Sequence, residues 1–161
     1  MNQATASFGT HSETLFSLQQ VREARVIAAQ TKRSVAEVLE DQAGLDAKSF
    51  VEALGRMFRY PVFAMDELNS LAPAFDVLAF AEAMEHECLA LRDADERIIL
   101  VMSDPFNAGL QAWAEQRIHS AITWGLAHRA DVSAYLSHHE KSMHAMDSMQ
   151  GNRDLTGGQL E

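Results

Sequence analysis

Ile98-Ile99-Leu100-Val101-Met102-Ser103-Asp104-Pro105-Phe106-Asn107 sets an unbroken apolar run directly against an Asp-Pro pair. The apolar run has strand character. Asp104 carries a side chain suited to capping a helix, and Pro105 suits a first helical position, where its missing N–H costs nothing. The junction therefore reads as a strand that ends in a capped helix start. Upstream, Glu87-Cys88-Leu89-Ala90-Leu91-Arg92 alternates as a second strand, and Asp93-Ala94-Asp95 reads as the turn between the two. So short a link implies an antiparallel hairpin. Downstream, Leu110, Trp113, Ala114 and Arg117 continue the helix, Ser120 to Ala127 reads as a third strand, and about Ala130 to His139 as a last helix. Strand, helix and strand over some thirty residues make a βαβ unit, whose crossover is expected to be right-handed.

Ahead of this block the periodicity changes. A segment from about Glu13 to Gln30 places Leu18, Val21, Ala24 and Ala28 at helical spacing. Ser34 precedes Glu37 by three residues, a capping-box pattern, and Gly44 ends the short helix that follows. Asp46 is placed to cap a third helix, with Phe50, Ala53, Leu54 and Met57 along one stripe and Glu52 and Arg56 paired on the outer face. Tyr60-Pro61-Val62-Phe63 breaks the pattern, and Asp76 is read as the cap of a helix through about Met84. The expected fold class is α/β (α+β): a small helical subdomain, then a mixed sheet with a βαβ unit and packed helices. The expected limits are a disordered stretch over 1–12, the helical subdomain over 13–58, the α/β subdomain over 59–141, and a tail or linker over 142–161.

Composition narrows the function. The 161 residues carry a formal charge of −10, with 47% hydrophobic residues and a single cysteine, Cys88. One thiol rules out an internal disulfide and fits a reducing, cytoplasmic setting. An acidic body argues against nucleic acid, which needs a basic footprint. No apolar stretch approaches the length of a membrane span, so direct membrane insertion is not expected. The one cationic cluster is Arg22, Arg25, Lys32 and Arg33.

The ordered series of motifs resembles the amino-terminal domain of the type II secretion ATPase (the E component) and its relatives in type IV pilus assembly. Lys32-Arg33-Ser34-Val35-Ala36-Glu37-Val38-Leu39, Gly44-Leu45 and Phe50-Val51-Glu52-Ala53-Leu54 look like that family's helical segment. Arg59-Tyr60-Pro61-Val62-Phe63 is similar to its linker, and Ala81 to Asn107 to its apolar strand followed by a small residue, Asp-Pro and Asn. The resemblance implies a non-catalytic docking and regulatory module of a type II secretion or type IV pilus system. Its implied partner is the cytoplasmic part of an inner-membrane platform protein, which would make it cytoplasmic and peripheral to that membrane. A subset of relatives binds cyclic di-GMP, and similar domains are attached to membrane glycosyltransferases of exopolysaccharide systems. Both are alternatives that the resemblance carries.

The departures are specific. No Gly-x-x-x-x-Gly-Lys-Ser/Thr loop occurs, so ATP hydrolysis by this chain is not expected. The cyclic-di-GMP subset repeats an Arg-Leu-Gly type of motif; here one degenerate copy begins Arg33-Ser34-Val35, with Ser34 where backbone approach favours Gly.

Other residues carry two readings each. Asp104 is a ligand at a strand end or, as expected here, a cap with Pro105. His138, His139, Glu140 and His144 are a metal cluster or a solvated helix end. The five-residue step from His139 to His144 is not that of a zinc helix, and no metal site or cofactor is assigned. Trp113 and Trp124 are stacking platforms or core, Cys88 a reactive or a buried thiol, and Met143, Met146 and Met149 a partner stripe or part of a tail. Arg22, Arg25, Lys32 and Arg33 are either a solvated face or contacts to an acidic partner or anionic ligand. No catalytic constellation is found.

Overall fold

The structure, a computed structural model, describes residues 16–159; the expectation for 1–12 lies outside them. The helical unit comes first: α1 (Leu18–Thr31), α2 (Val35–Ala43) and α3 (Ala47–Phe58). Each start is fixed by a side chain. Ser17 and Gln20 form a capping box on α1, Ser34 and Glu37 form the expected one on α2, and Asp46 accepts the Ser49 N–H on α3. Each end turns left-handed, at Lys32, Gly44 and Arg59. Met57, expected on the buried stripe of α3, is instead 45% exposed.

The second unit contains α4 (Met65–Ser70), β1 (Ala72–Pro73), α5 (Phe80–His86), β2 (Cys88–Arg92), β3 (Ile98–Met102), α6 (Ala108–Arg117), β4 (Ile122–Leu126) and α7 (Arg129–Gln159). The sheet order is β1-β2-β3-β4. β2 and β3 form the expected antiparallel hairpin, with Ala90 opposite Leu100, and β3 runs parallel to β4, with Leu100 opposite Trp124. The β3–α6–β4 crossover is the expected βαβ unit. The result is an α+β fold with a mixed sheet.

Four local expectations are corrected. Asp104 does not cap α6 and Pro105 is not its first residue. Asp104 to Asn107 is a turn, closed by the Asn107 N–H donating to the Asp104 carbonyl, and the Asp104 carboxylate accepts the Phe106 N–H. The helix cap is Asn107, whose side-chain oxygen accepts the Leu110 N–H. Asp-Pro opens a type I turn as readily as a helix, and the turn prevails here because Phe106 is buried. Asp76 does not cap a helix either: it holds Arg92 through two hydrogen bonds of 2.8 and 2.6 Å, and α5 starts four residues later. The short elements α4 and β1 had no signal in the periodicity. Finally, α7 does not stop near His139 but runs on to Gln159, with residues 141–149 exposed.

All five residues of β3 are buried. One hydrophobic cluster runs from Phe16 through Leu39, Phe50 and Leu54 to Leu100, Met102 and Leu136, so helical unit and sheet share a core. The linker is part of it. The Leu126 N–H donates to the Pro61 carbonyl and the Phe63 N–H to the Leu126 carbonyl, both at 2.8 Å. A Cβ added at Gly125 would sit 2.5 Å from the Phe63 ring. Gly125→Ala is therefore expected to cost about 1–3 kcal/mol, as overpacking of a tight core does. Denaturant unfolding checks this; an unchanged midpoint would mean that Phe63 moves aside without loss.

Candidate functional site

The turn after β3 faces the start of α2. Burial pushes the Asp104 carboxyl up; the N–H groups of Phe106, Val35 and Ala36 and the charge of Arg25 partly offset that rise. Asp104 thus occupies the anion-favouring end of α2 with a carboxylate of the chain itself.

Beside it the two units are joined by ions. His128 Nε2 lies 2.6 Å from Glu40 Oε2, Arg129 Nη1 lies 3.1 Å from Glu37 Oε1, and Arg129 Nε lies 3.9 Å from Glu40 Oε1. His128 Nδ1 accepts the Ala130 N–H at 3.1 Å, which puts the ring proton on Nε2 and directs it to Glu40. The histidine thus links α2 to the start of α7. A cleft of about 410 Å³ opens alongside, lined by Glu37, Glu87, Ser103, Arg129, Ser133 and Leu136 among others. Its guanidinium is already held by Glu37 and Glu40, and two carboxylates face the space, so the cleft is poorly suited to an anion.

The predicted cationic cluster is split by the fold. Arg22 and Arg25 lie exposed on the outer face of α1 and form no ion pair with any described residue. The Arg25 guanidinium carbon stands 5.8 Å from the centre of the Phe106 ring. Phe106 meets Phe58 edge-on at 5.0 Å, and Phe58 stacks on Tyr60 at 6.2 Å. Lys32 is the left-handed end of α1. Arg33 points the other way, into α2, held by Asp41 and by Glu37 at 3.8 Å. Phe106 as a platform for Arg25 had no signal in the sequence, because the contact joins residues 81 positions apart. The same holds for Glu40 and His128, 88 apart.

The remaining candidates have packing roles. The Cys88 thiol is buried and pushed up to about 12 by desolvation and by Glu82. Trp113 is half-buried and stacks on His86 at 3.6 Å, and Trp124 is half-buried in β4. His139 packs on Tyr135 at 4.4 Å and on Phe75 at 5.7 Å, and burial draws it down. His144 pairs loosely with Glu140 at 3.9 Å. No three His, Cys, Asp or Glu among the described residues converge as metal ligands. Met143, Met146 and Met149 are exposed on α7.

Comparison with known proteins gives the family. The model of the MshEN domain matches residues 58–146, more than half of the chain. The chain belongs to the MshEN domain family. A solved structure of MshE with cdg is similar at a TM-score of 0.57 and 17% identity, covering 77% of this chain and 90% of that one. The N-terminal domain of XpsE is similar at a TM-score of 0.53 and 12% identity, covering 76% and 85%. At such identities the likeness is one of fold. Among curated protein sequences no relative matches. The family match begins at Phe58, so it covers the sheet unit and leaves out α1, which carries Arg22 and Arg25; exposed Arg56, expected to pair with Glu52, forms no ion pair with a described residue either.

The raised Asp104 sets a pH dependence. A carboxyl with a raised folded-state pKa holds its proton more tightly in the fold than in the unfolded chain. Its contribution to stability is therefore lost as pH rises from the unfolded value, about 3.9, through the folded one. Asp104→Asn keeps an acceptor for the Phe106 N–H and removes this loss. It is expected to match the wild type at pH 3 and equal or exceed it at pH 7 in denaturant unfolding. Asp104→Ala should be weaker at both by about 1 kcal/mol, because that N–H loses its partner. An Asn variant weaker than wild type only at pH 7 would instead mark the charge as stabilising.

Proposed function

We propose that this chain is a non-catalytic docking and regulatory domain of a type II secretion or type IV pilus motor. In this reading it works in the cytoplasm and engages the cytoplasmic domain of an inner-membrane platform protein through the outer face of α1. The family membership supports the system. The observation that carries the surface is the pair Arg22 and Arg25, two exposed guanidiniums that form no salt bridge with a described residue, in a chain of charge −10. Every arginine from Arg92 to Arg129 is, by contrast, paired, while exposed Arg56 and Arg59 at the end of α3 share the unpaired state among the described residues but do not stand on α1. Arg25 also has a support: its guanidinium carbon stands 5.8 Å from the centre of the Phe106 ring, which reduces the entropy lost on binding. Lys32, at the end of the same helix, adds charge at the rim. Arg33, held within α2, is assigned a structural part. No helix among the described residues is long and apolar enough to cross a membrane; in this reading the partner supplies the contact with it.

The test is affinity for the purified cytoplasmic domain of the platform protein. Arg22→Glu/Arg25→Glu is expected to weaken it at least tenfold, about 1.4 kcal/mol, with a flatter salt dependence. Unchanged affinity would remove this surface from the reading.

A second reading, cyclic di-GMP sensing through the Arg33 region, is favoured by the likeness to MshE, which has been solved with cdg. Against it stand the two carboxylates on Arg33 and the Asp104 carboxylate at the start of α2. Calorimetry with the dinucleotide is expected to give no heat. A ligand present at 100 times its dissociation constant would raise stability by about 2.7 kcal/mol, so a thermal shift of that size would carry this second reading instead.

A further inference from the structure

The two edges of the sheet are built differently. β1 is two residues long and contains Pro73, which has no N–H to offer a new strand. β4 has five residues, and its outer side is half occupied. The Leu126 N–H and C=O point away from β3 and are taken by Pro61 and Phe63. Because backbone groups alternate along a strand, Trp124 and Ile122 turn the same way. Their outward N–H and C=O groups have no backbone or side-chain partner among the described residues. Neither proline nor a charged residue protects this edge: residues 118–127, Ile-His-Ser-Ala-Ile-Thr-Trp-Gly-Leu-Ala, contain no Asp, Glu, Lys or Arg. An open, uncharged apolar edge is a template for strand addition.

We propose that this edge pairs with the β4 edge of a second copy of the chain, antiparallel about a two-fold axis at Thr123. The inference is independent of the docking surface on α1. Three observations select a second copy. First, the open slot is short and self-complementary. In the register that sets Ile122 opposite Trp124 of the partner copy, all four outward backbone groups of each strand find a partner, and Thr123 faces its own equivalent as a non-hydrogen-bonded pair. Second, the side chains match. Ile122 against Trp124 is a β-branched and aromatic cross-strand pair, both half-buried, and exposed Thr123 against Thr123 is a favoured polar one. Third, charge admits it. Two copies of a −10 chain repel across most of their surface, and this ten-residue run is one stretch where no like charges meet. The slot is closed at both ends: by the Pro61 to Phe63 segment on Leu126, and by the bend at Ser120, where the chain leaves the strand direction.

The test uses the full chain in sedimentation velocity over about 5 to 500 µM, the range of a modest interface. The wild type is expected to pass from monomer to dimer. Thr123→Lys, which sets two ammonium groups face to face at an exposed position, is expected to stay monomeric with an unchanged circular dichroism spectrum. Geometry is read by cross-linking. Residues opposite each other in such a pair lie about 4.5 Å apart at Cα, within disulfide reach. Mild oxidation of Thr123→Cys should therefore give a covalent dimer and oxidation of Ala121→Cys should not. The buried Cys88 thiol does not compete. A wild type that stays monomeric throughout, a dimer that survives Thr123→Lys, or equal cross-linking at 121 and 123 would each overturn the proposal.

Discussion

Strand β3 is buried along its whole length and bonded on both sides, antiparallel to β2 and parallel to β4. A strand so enclosed must leave the sheet at a fixed point in a fixed direction, and the rest of the architecture follows from that exit. Ser103 to Asn107 turns there, laying Phe106 against Phe58 and turning the Asp104 carboxylate to α2. The Met102 carbonyl accepts the Ala127 N–H, which places His128 and Arg129 beside Glu37 and Glu40. One buried strand thus positions both the turn and the ionic seam that hold the helical unit on the sheet.

The charge pattern divides along the same seam. In the sheet unit arginine is neutralised locally: Arg92 by Asp76, Arg97 by Asp95, Arg117 by Glu82. Exposed pairs of this kind add little stability, but they occupy the donors of these three guanidiniums. On α1, Arg25 makes no salt bridge with a described residue: it stands over the Phe106 ring and acts on buried Asp104 only through its charge. A guanidinium on an aromatic face keeps its donors for a partner; one held by a carboxylate does not.

Local chemistry made much of the fold legible. Ser34 with Glu37, Gly44 and Asp46 announce the ends of α2 and α3, and the hairpin and βαβ unit follow from two apolar runs and the length of their links. Asp104 and Pro105 were legible as a punctuation mark but not as to its kind, since the same pair opens a turn or a helix and the burial of Phe106 decides between them. The extension of α7 past His139 was harder to read because residues 141–149 are exposed, and Met143, Met146 and Met149 at helical spacing fit a tail as well as a helix face without a partner. Of the candidate site, the cationic residues could be picked out by type, whereas their division into Arg22 and Arg25 outward and Arg33 inward depends on where Asp41 and Phe106 arrive in three dimensions.

In this account a rigid sheet unit presents a helix whose outer face is kept ready for an acidic surface. Amide chemical-shift mapping of the labelled domain, titrated with the cytoplasmic domain of the platform protein, tests this most directly. The account predicts that the shifts cluster on Leu18 to Thr31 and at Phe106, the residues on and under the arginine face. Shifts confined to the sheet edge or to the cleft beside Arg129, with α1 silent, would contradict it.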